Sequence, residues 1–154
     1  MNVKARLSPD DLARACADAM WKEDDASQGL GMEIVDVKPG QATLTMTVKP
    51  NMVNGQRIAH GGFIFTLADS AFAFACNTRN ERTVAAQGNI TFIKPGKLGD
   101  LLVATAGEIS RNGRSGIYDV RVTVGDVVIA EFRGHSRTIG GTWLPTMDAE
   151  TKQE

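Results

Sequence analysis

The run Phe63-Ile64-Phe65-Thr66-Leu67-Ala68-Asp69-Ser70-Ala71-Phe72-Ala73-Phe74-Ala75-Cys76 constrains this chain more than any other stretch, because only Thr66, Asp69 and Ser70 interrupt it. A helix that is apolar on all sides must be enclosed by protein, so this one is expected to be central, with the rest of the chain wrapped around it. A carboxylate in such a helix is costly to bury uncompensated. Asp69 is therefore paired, or partly wet in a cleft, or functional. Just before it runs Asn54-Gly55-Gln56-Arg57-Ile58-Ala59-His60-Gly61-Gly62. Taken singly, Asp69 has an ordinary use as a structural acid bonded to a backbone donor, and Gly61-Gly62 as a plain helix start with room for another chain. Together they point to function, since free amides at a helix start stabilise anions and the acid lies two turns further along.

The flanking pattern alternates in period. Ser8-Pro9-Asp10-Asp11 is a helix start, with a hydroxyl cap, a proline at the first position and acids at the positive end of the dipole. Leu12, Ala15, Cys16, Ala19 and Met20 then mark one apolar face, and the helix is expected to end near Asp24-Asp25. Gly31 to Val37 suits a short strand, and Lys38-Pro39-Gly40-Gln41 a turn. Ala42, Leu44, Met46 and Val48 alternate with threonines, which is the period of a strand with one buried face. Pro50 and Asn54-Gly55 make Lys49 to Ala59 irregular. After the central helix, Arg79-Asn80-Glu81-Arg82 is expected to be an exposed polar turn. Four strands follow, at Val84–Ile93, Leu101–Ser110, Ile117–Val124 and Val127–Thr138, separated by turn chemistry such as Asn112-Gly113. From Gly140 onward the tail is polar apart from Trp143, Leu144 and Met147, and loose order is expected there.

At 154 residues and 42% hydrophobic content the chain is long enough for one proper core. A net charge of −1 gives no electrostatic case for nucleic acid or an anionic membrane surface. Cys16 and Cys76 sit in separate apolar patterns and suit buried thiols in a reducing compartment. Met1 to Pro9 is polar and charged, unlike a signal peptide, and the stretch around Asp69 is too short to span a bilayer. A cytoplasmic location is the expectation. His60 and His135, without clustered acids or thiols, make no metal site, and no cofactor is called for.

This order of elements, with His60-Gly61-Gly62, six residues, then Asp69, and Asn54 ahead of it, resembles the hotdog-fold acyl-coenzyme A thioesterases of the phenylacetate-degradation type. The likeness runs from about Leu30 to Ile139. Asn89-Ile90-Thr91-Phe92 with Lys94-Pro95-Gly96 is similar to the family's third strand and its turn, and Gly113-Arg114 to a later hairpin. The His-Phe-Pro-Gly signature of the related hotdog dehydratases is absent. The resemblance implies an α+β fold, an antiparallel sheet wrapped around one long central helix, here with an extra N-terminal helix. One domain would span 1–139 and a tail 140–154. It implies hydrolysis of an acyl-coenzyme A thioester, with phenylacetyl or hydroxyphenylacetyl groups favoured. Asp69 would be base or nucleophile, the Gly61 amide would polarise the carbonyl, Asn54 would lie near the reacting group and His60 would shape the helix entrance. Gly62, Phe63, Phe72 and Ala73 are the candidate acyl contacts. Ala73 stands where some relatives carry a hydroxyl, and Ala85 where others carry a serine. An acyl-coenzyme A binding or sensing domain without turnover, and a dehydratase-like hotdog enzyme, are the alternatives.

The chemistry is compatible with so small a set of groups. A thiol leaving group with a pKa near ~8.5 needs little protonation, so a carboxylate and oxyanion donors suffice. Burial against Phe65, Phe72 and Ala73 is expected to raise the Asp69 pKa. Eight helical residues separate Gly61 from Asp69 by about 12 Å along the axis, so one carbonyl cannot touch both. The simplest remedy is a homodimer in which Gly61 of one chain faces Asp69 of the other, and the resemblance suggests a tetramer beyond it. Lys94, Lys97, Arg111 and Arg114 are ordinary solubilising turn residues individually and, as a group, candidates for the coenzyme A phosphates.

Overall fold

The computed structural model describes residues 7–145 of the chain. Helix α1 spans Pro9–Glu23 and α2 Asp25–Gly29; strands β1 (Glu33–Lys38) and β2 (Gln41–Thr47) form a hairpin; a single 3-10 turn, Pro50–Met52, precedes helix α3 (Gly61–Cys76). Strands β3 (Thr83–Phe92), β4 (Leu101–Asn112), β5 (Ser115–Val124) and β6 (Val127–Thr138) follow. All six strands join one sheet in the order β1-β2-β4-β5-β6-β3, with every pair antiparallel.

The apolar run behaves as its composition requires. Leu67, Ala68, Ala71 and Ala75 of α3 are wholly enclosed, and Leu44, Met46, Leu102, Ala104, Val120 and Val122 close over the helix from the sheet. Burying each large aliphatic side chain is worth roughly 1.5–3 kcal/mol, so this helix and its covering face hold most of the fold's apolar gain. Close approach is arranged locally: a Cβ at Gly134 would lie 2.8 Å from the Phe72 ring. Phe72 uses that space to pack on Tyr118 and Phe132, with ring centroids 5.6 and 5.9 Å away.

Several local expectations need correction. Helix α1 ends where expected, but a second helix that was not expected follows at once: Asp24 ends α1 and caps α2, its Oδ1 accepting from the Ser27 amide at 2.9 Å. The first strand starts at Glu33, two residues later than expected, because α2 carries the chain into a turn at Gly31. Arg79 to Arg82 is not an exposed turn throughout, since Asn80 is only 3% exposed. Asn80 adopts a left-handed φ of 59° and aims its side chain inward. Its Oδ1 accepts from the amides of Trp143 (2.9 Å) and Leu144 (2.8 Å). The segment after Ile139 is therefore pinned to the domain as far as Leu144, against the expectation of loose order from Gly140 onward, and Met147 lies outside the described residues.

Strand β3 is unlike the other long strands. It pairs only with β6, and its residues are exposed almost throughout, including Val84 at 45% and Phe92 at 51%. Its second edge has no strand on it among the described residues. Such an edge, with apolar side chains, is open to pairing.

Candidate active site

Two clefts open along β3, one at each end. The first, of about 480 Å³, lies at the Phe92 end and is lined by Asn54, Ile58, Gly61, Ile64, Phe92 and Lys94 among others. The second, of about 310 Å³, lies at the Thr83 end and holds Asp69 with Phe72, Ala73, Val84 and Trp143. Helix α3 contributes its first turn to one and its middle to the other. The helical spacing of Gly61 and Asp69 thus appears in the structure as two separate cavities within a chain.

The first cleft is built around a helix start. His60 caps α3, its Nδ1 accepting from the Gly62 amide at 2.9 Å, and its carbonyl accepts from the Phe63 amide at 3.0 Å. The Gly61 amide has no protein partner among the described residues and is the donor left facing the cleft. Asn54 is held by its own loop, with Oδ1 accepting from the amides of Gln56 (3.0 Å) and Ile58 (3.4 Å). That leaves the Asn54 Nδ2 as a second donor on the same cleft. A free amide at a helix N-terminus and a side-chain amide beside it suit a developing oxyanion.

In the second cleft Asp69 is half-buried and has neither a hydrogen bond nor an ion pair among the described residues, and its oxygens reach solvent. Burial pushes its pKa above the ordinary carboxylate value. The apolar surroundings include Phe72 and Ala73 but not Phe65, which lies instead edge-on to Phe132 at 5.4 Å. The Cys76 thiol shares the cleft, but burial first, and then the charge of Asp69, raise its pKa to about 12. It stays protonated at neutral pH, which leaves Asp69 as the cleft's ionisable group suited to base or nucleophile work.

Other sequence candidates are distributed unevenly. Gly62 is exposed with its amide already engaged, and Phe63 packs edge-on to His60 at 6.0 Å, on neither cleft. Lys94 lines the Gly61 cleft, and Lys97 stands exposed in the same loop. Arg111 and Arg114 sit at the far end of β4, so the four cations do not form one group within a chain. Arg111 is moreover tied to Glu81 at 3.1 Å and to Glu108 at 3.7 Å. Met20, Asn77, Arg82 and Trp143 line the Asp69 cleft without having been singled out from sequence. The one signal available was that Trp143 is a large apolar residue in an otherwise polar tail. Among the described residues no three His, Cys, Asp or Glu side chains group as metal ligands, and no helix is long and apolar enough to cross a membrane.

A curled antiparallel sheet closed on one buried helix defines the hotdog class of proteins. Residues 56–131 match the thioesterase superfamily model. The acyl-coenzyme A thioesterase PaaI of Escherichia coli (strain K12) is 42% identical over 127 residues, 82% of this chain and 91% of that protein. The solved structure of the E. coli PaaI protein from the phenylacetic acid degradation operon agrees with a TM-score of 0.86 at 40% identity, covering 88% of this chain and 99% of that one. A Streptococcus mutans UA159 structure bound to acetyl CoA agrees with a TM-score of 0.69 at 27% identity, over 72% of this chain and 90% of that one. The chain belongs to the thioesterase superfamily and is a thioester hydrolase.

Proposed function

We propose that the chain hydrolyses arylacyl-coenzyme A thioesters, phenylacetyl- or hydroxyphenylacetyl-coenzyme A, at sites each shared between two copies. The observation that supports this is the placement of the two clefts at opposite ends of the edge strand β3, whose outer side has no strand among the described residues. A twofold axis near Gln87 and Gly88 pairs β3 with its copy antiparallel, and sets Phe92 of the partner subunit beside Thr83. The Asp69 cleft then abuts Gly61 of the partner subunit, and the exposed Val84, Phe92 and Ile93 are covered.

In such a site the thioester carbonyl lies between the two halves. The partner's Gly61 amide, with the partner's Asn54 beside it, stabilises the oxyanion as it forms. Asp69 takes a proton from a water that attacks the carbonyl carbon, or attacks that carbon itself and is regenerated by water. The carbon–sulfur bond breaks, and coenzyme A leaves as a thiolate without needing a strong general acid. The same twofold resolves the scattered cations, bringing Lys94 of the partner subunit toward Arg114, whose carbonyl accepts from the Thr138 amide at the Thr83 end of the sheet. Arginine and lysine together there suit phosphate oxygens at the mouth of the site. The acyl preference is supported by the likeness to a protein of the phenylacetic acid degradation operon and by the aromatic and apolar lining around Asp69.

The test is thiol release from a panel of acyl-coenzyme A compounds, with Asp69→Asn as control. Arylacetyl thioesters are expected to have the highest kcat/KM, and Asp69→Asn to lose it. Equal rates across acetyl, long-chain and arylacetyl thioesters would sink the substrate assignment, and an active Asp69→Asn the catalytic one.

A further inference from the structure

Resting on that assignment of the Asp69 cleft, we infer that Trp143, carried on the strap formed by residues 140–145, is the end wall of the acyl pocket and the residue that selects compact aromatic acyl groups over long chains. The cleft's volume of about 310 Å³ sits at the bottom of the ~300–1,000 Å³ range of small-molecule pockets. It has room for an acyl group, with the bulk of coenzyme A outside. Its walls come from separated parts of the chain: Met20 from α1, Phe72 and Ala73 from α3, Val84 from β3, then Ile139 and Trp143. Of these, Trp143 offers a large flat aromatic surface and lies on a segment outside the sheet.

The indole is held at its edge and over one face. Its Nε1 donates to Asn77 Oδ1 at 2.9 Å, and its backbone amide donates to Asn80 Oδ1 at 2.9 Å. The Arg82 guanidinium stacks over the ring at 4.0 Å from the centroid, and Arg82 Nε donates to the Thr142 carbonyl at 3.0 Å. The backbone follows suit, with the Arg82 amide donating to the Gly141 carbonyl at 3.1 Å and the Ile139 amide to the Arg82 carbonyl at 2.9 Å. A ring clamped by hydrogen bonds and a cation cannot swing aside to admit a longer chain, and it offers an acyl aryl group a preorganised face for stacking.

The experiment compares wild type, Trp143→Ala and Trp143→Phe on phenylacetyl-coenzyme A and decanoyl-coenzyme A. Trp143→Ala is expected to raise the decanoyl-to-phenylacetyl ratio of kcat/KM about tenfold or more, the scale on which a hydrophobic pocket discriminates by size. Trp143→Phe, which keeps a ring, should stay near the wild-type ratio. An unchanged ratio in a folded Trp143→Ala protein overturns the inference. A second readout does not depend on turnover or on that variant folding: in Trp21→Phe, Trp143 is the sole tryptophan, and a thioether analogue of phenylacetyl-coenzyme A should shift its emission on saturation. Saturable binding by calorimetry with no change in emission overturns the inference as well. Loss of the Asp69 assignment shows up separately, as hydrolysis that survives Asp69→Asn, and the emission of Trp143 still decides whether it lines the pocket.

Discussion

A carboxyl group in an apolar cleft opposes folding once it ionises, and Asp69 is such a group. Its folded pKa lies above the reference value of 3.8, so between the two values the folded chain binds more protons than the unfolded one and stability falls as pH rises. Asp69→Asn removes that cost. It should melt higher than wild type at neutral pH, with the difference closing as pH drops below the reference value, as thermal melts over a pH series would show. The same substitution should reduce kcat by roughly 10²–10⁴-fold, the usual scale for a general base, and abolish the acid limb of the pH–rate profile. A variant both inactive and more stable marks a residue kept for chemistry; one that loses activity and stability together would mark Asp69 as structural. Gly61 admits a cleaner test. His60 has φ −63° and ψ 131°, the backbone favoured before proline, and proline is at ease as the first residue of a helix. Gly61→Pro therefore deletes the amide donor while sparing the helix; the Phe92 ring, 2.8 Å from where a Cβ would lie, has to turn aside at the β3 edge, so the dimer fraction by sedimentation is read beside kcat. Loss of one oxyanion donor should cost roughly 10²–10³-fold in kcat with Tm little changed.

Between elements, side-chain amides hold together what the helix-and-strand pattern leaves apart. Asn77 ends α3 almost wholly buried: its Oδ1 accepts from the Thr83 amide and the Trp143 indole, both at 2.9 Å, and its Nδ2 donates to the carbonyls of Ala73 (2.8 Å) and Thr83 (3.0 Å). Each buried polar group left without its partner costs about 1–3 kcal/mol, so Asn77→Ala should lose about 3 kcal/mol or more. Urea titration should show a lower midpoint with an unchanged slope; a shift below ~1 kcal/mol would mean that water replaces the lost bonds. This contact also marks where sequence stops being informative. The buried helix, the alternating face of β2 and the Asn112-Gly113 hairpin are local in period or turn chemistry, and the motif from Asn54 to Asp69 lies within one loop and one helix. The bonds from Asn77 and Asn80 to Trp143 cross more than sixty residues, and no local pattern distinguishes a buried asparagine from an exposed one. The tail, and with it one wall of the Asp69 cleft, was hidden for that reason. Helix α2 was hidden because five residues are too few to show a period.

For the whole molecule, the decisive question is whether one chain or two makes a working site. Within a chain the Asp69 and Gly61 clefts lie at opposite ends of β3, with about 12 Å of helix between the two residues along the axis. If pairing of two β3 edges joins each cleft to its partner's counterpart, chains carrying Asp69→Ala and chains carrying Gly61→Pro are each inactive alone but complementary. Random reassortment puts half of the molecules in mixed dimers, and in each of these one site of two unites an intact Asp69 with an intact Gly61 amide. An equimolar mixture, refolded together, should therefore recover about a quarter of wild-type activity per chain, and a charge placed on the edge, Val84→Glu, should reduce both the recovery and the dimer fraction by sedimentation. Activity staying at background while sedimentation shows mixed dimers would place both groups of a working site in a single chain. Rates scaling with dimer fraction across a dilution series would tie the chemistry to the β3 edge rather than to the folded monomer.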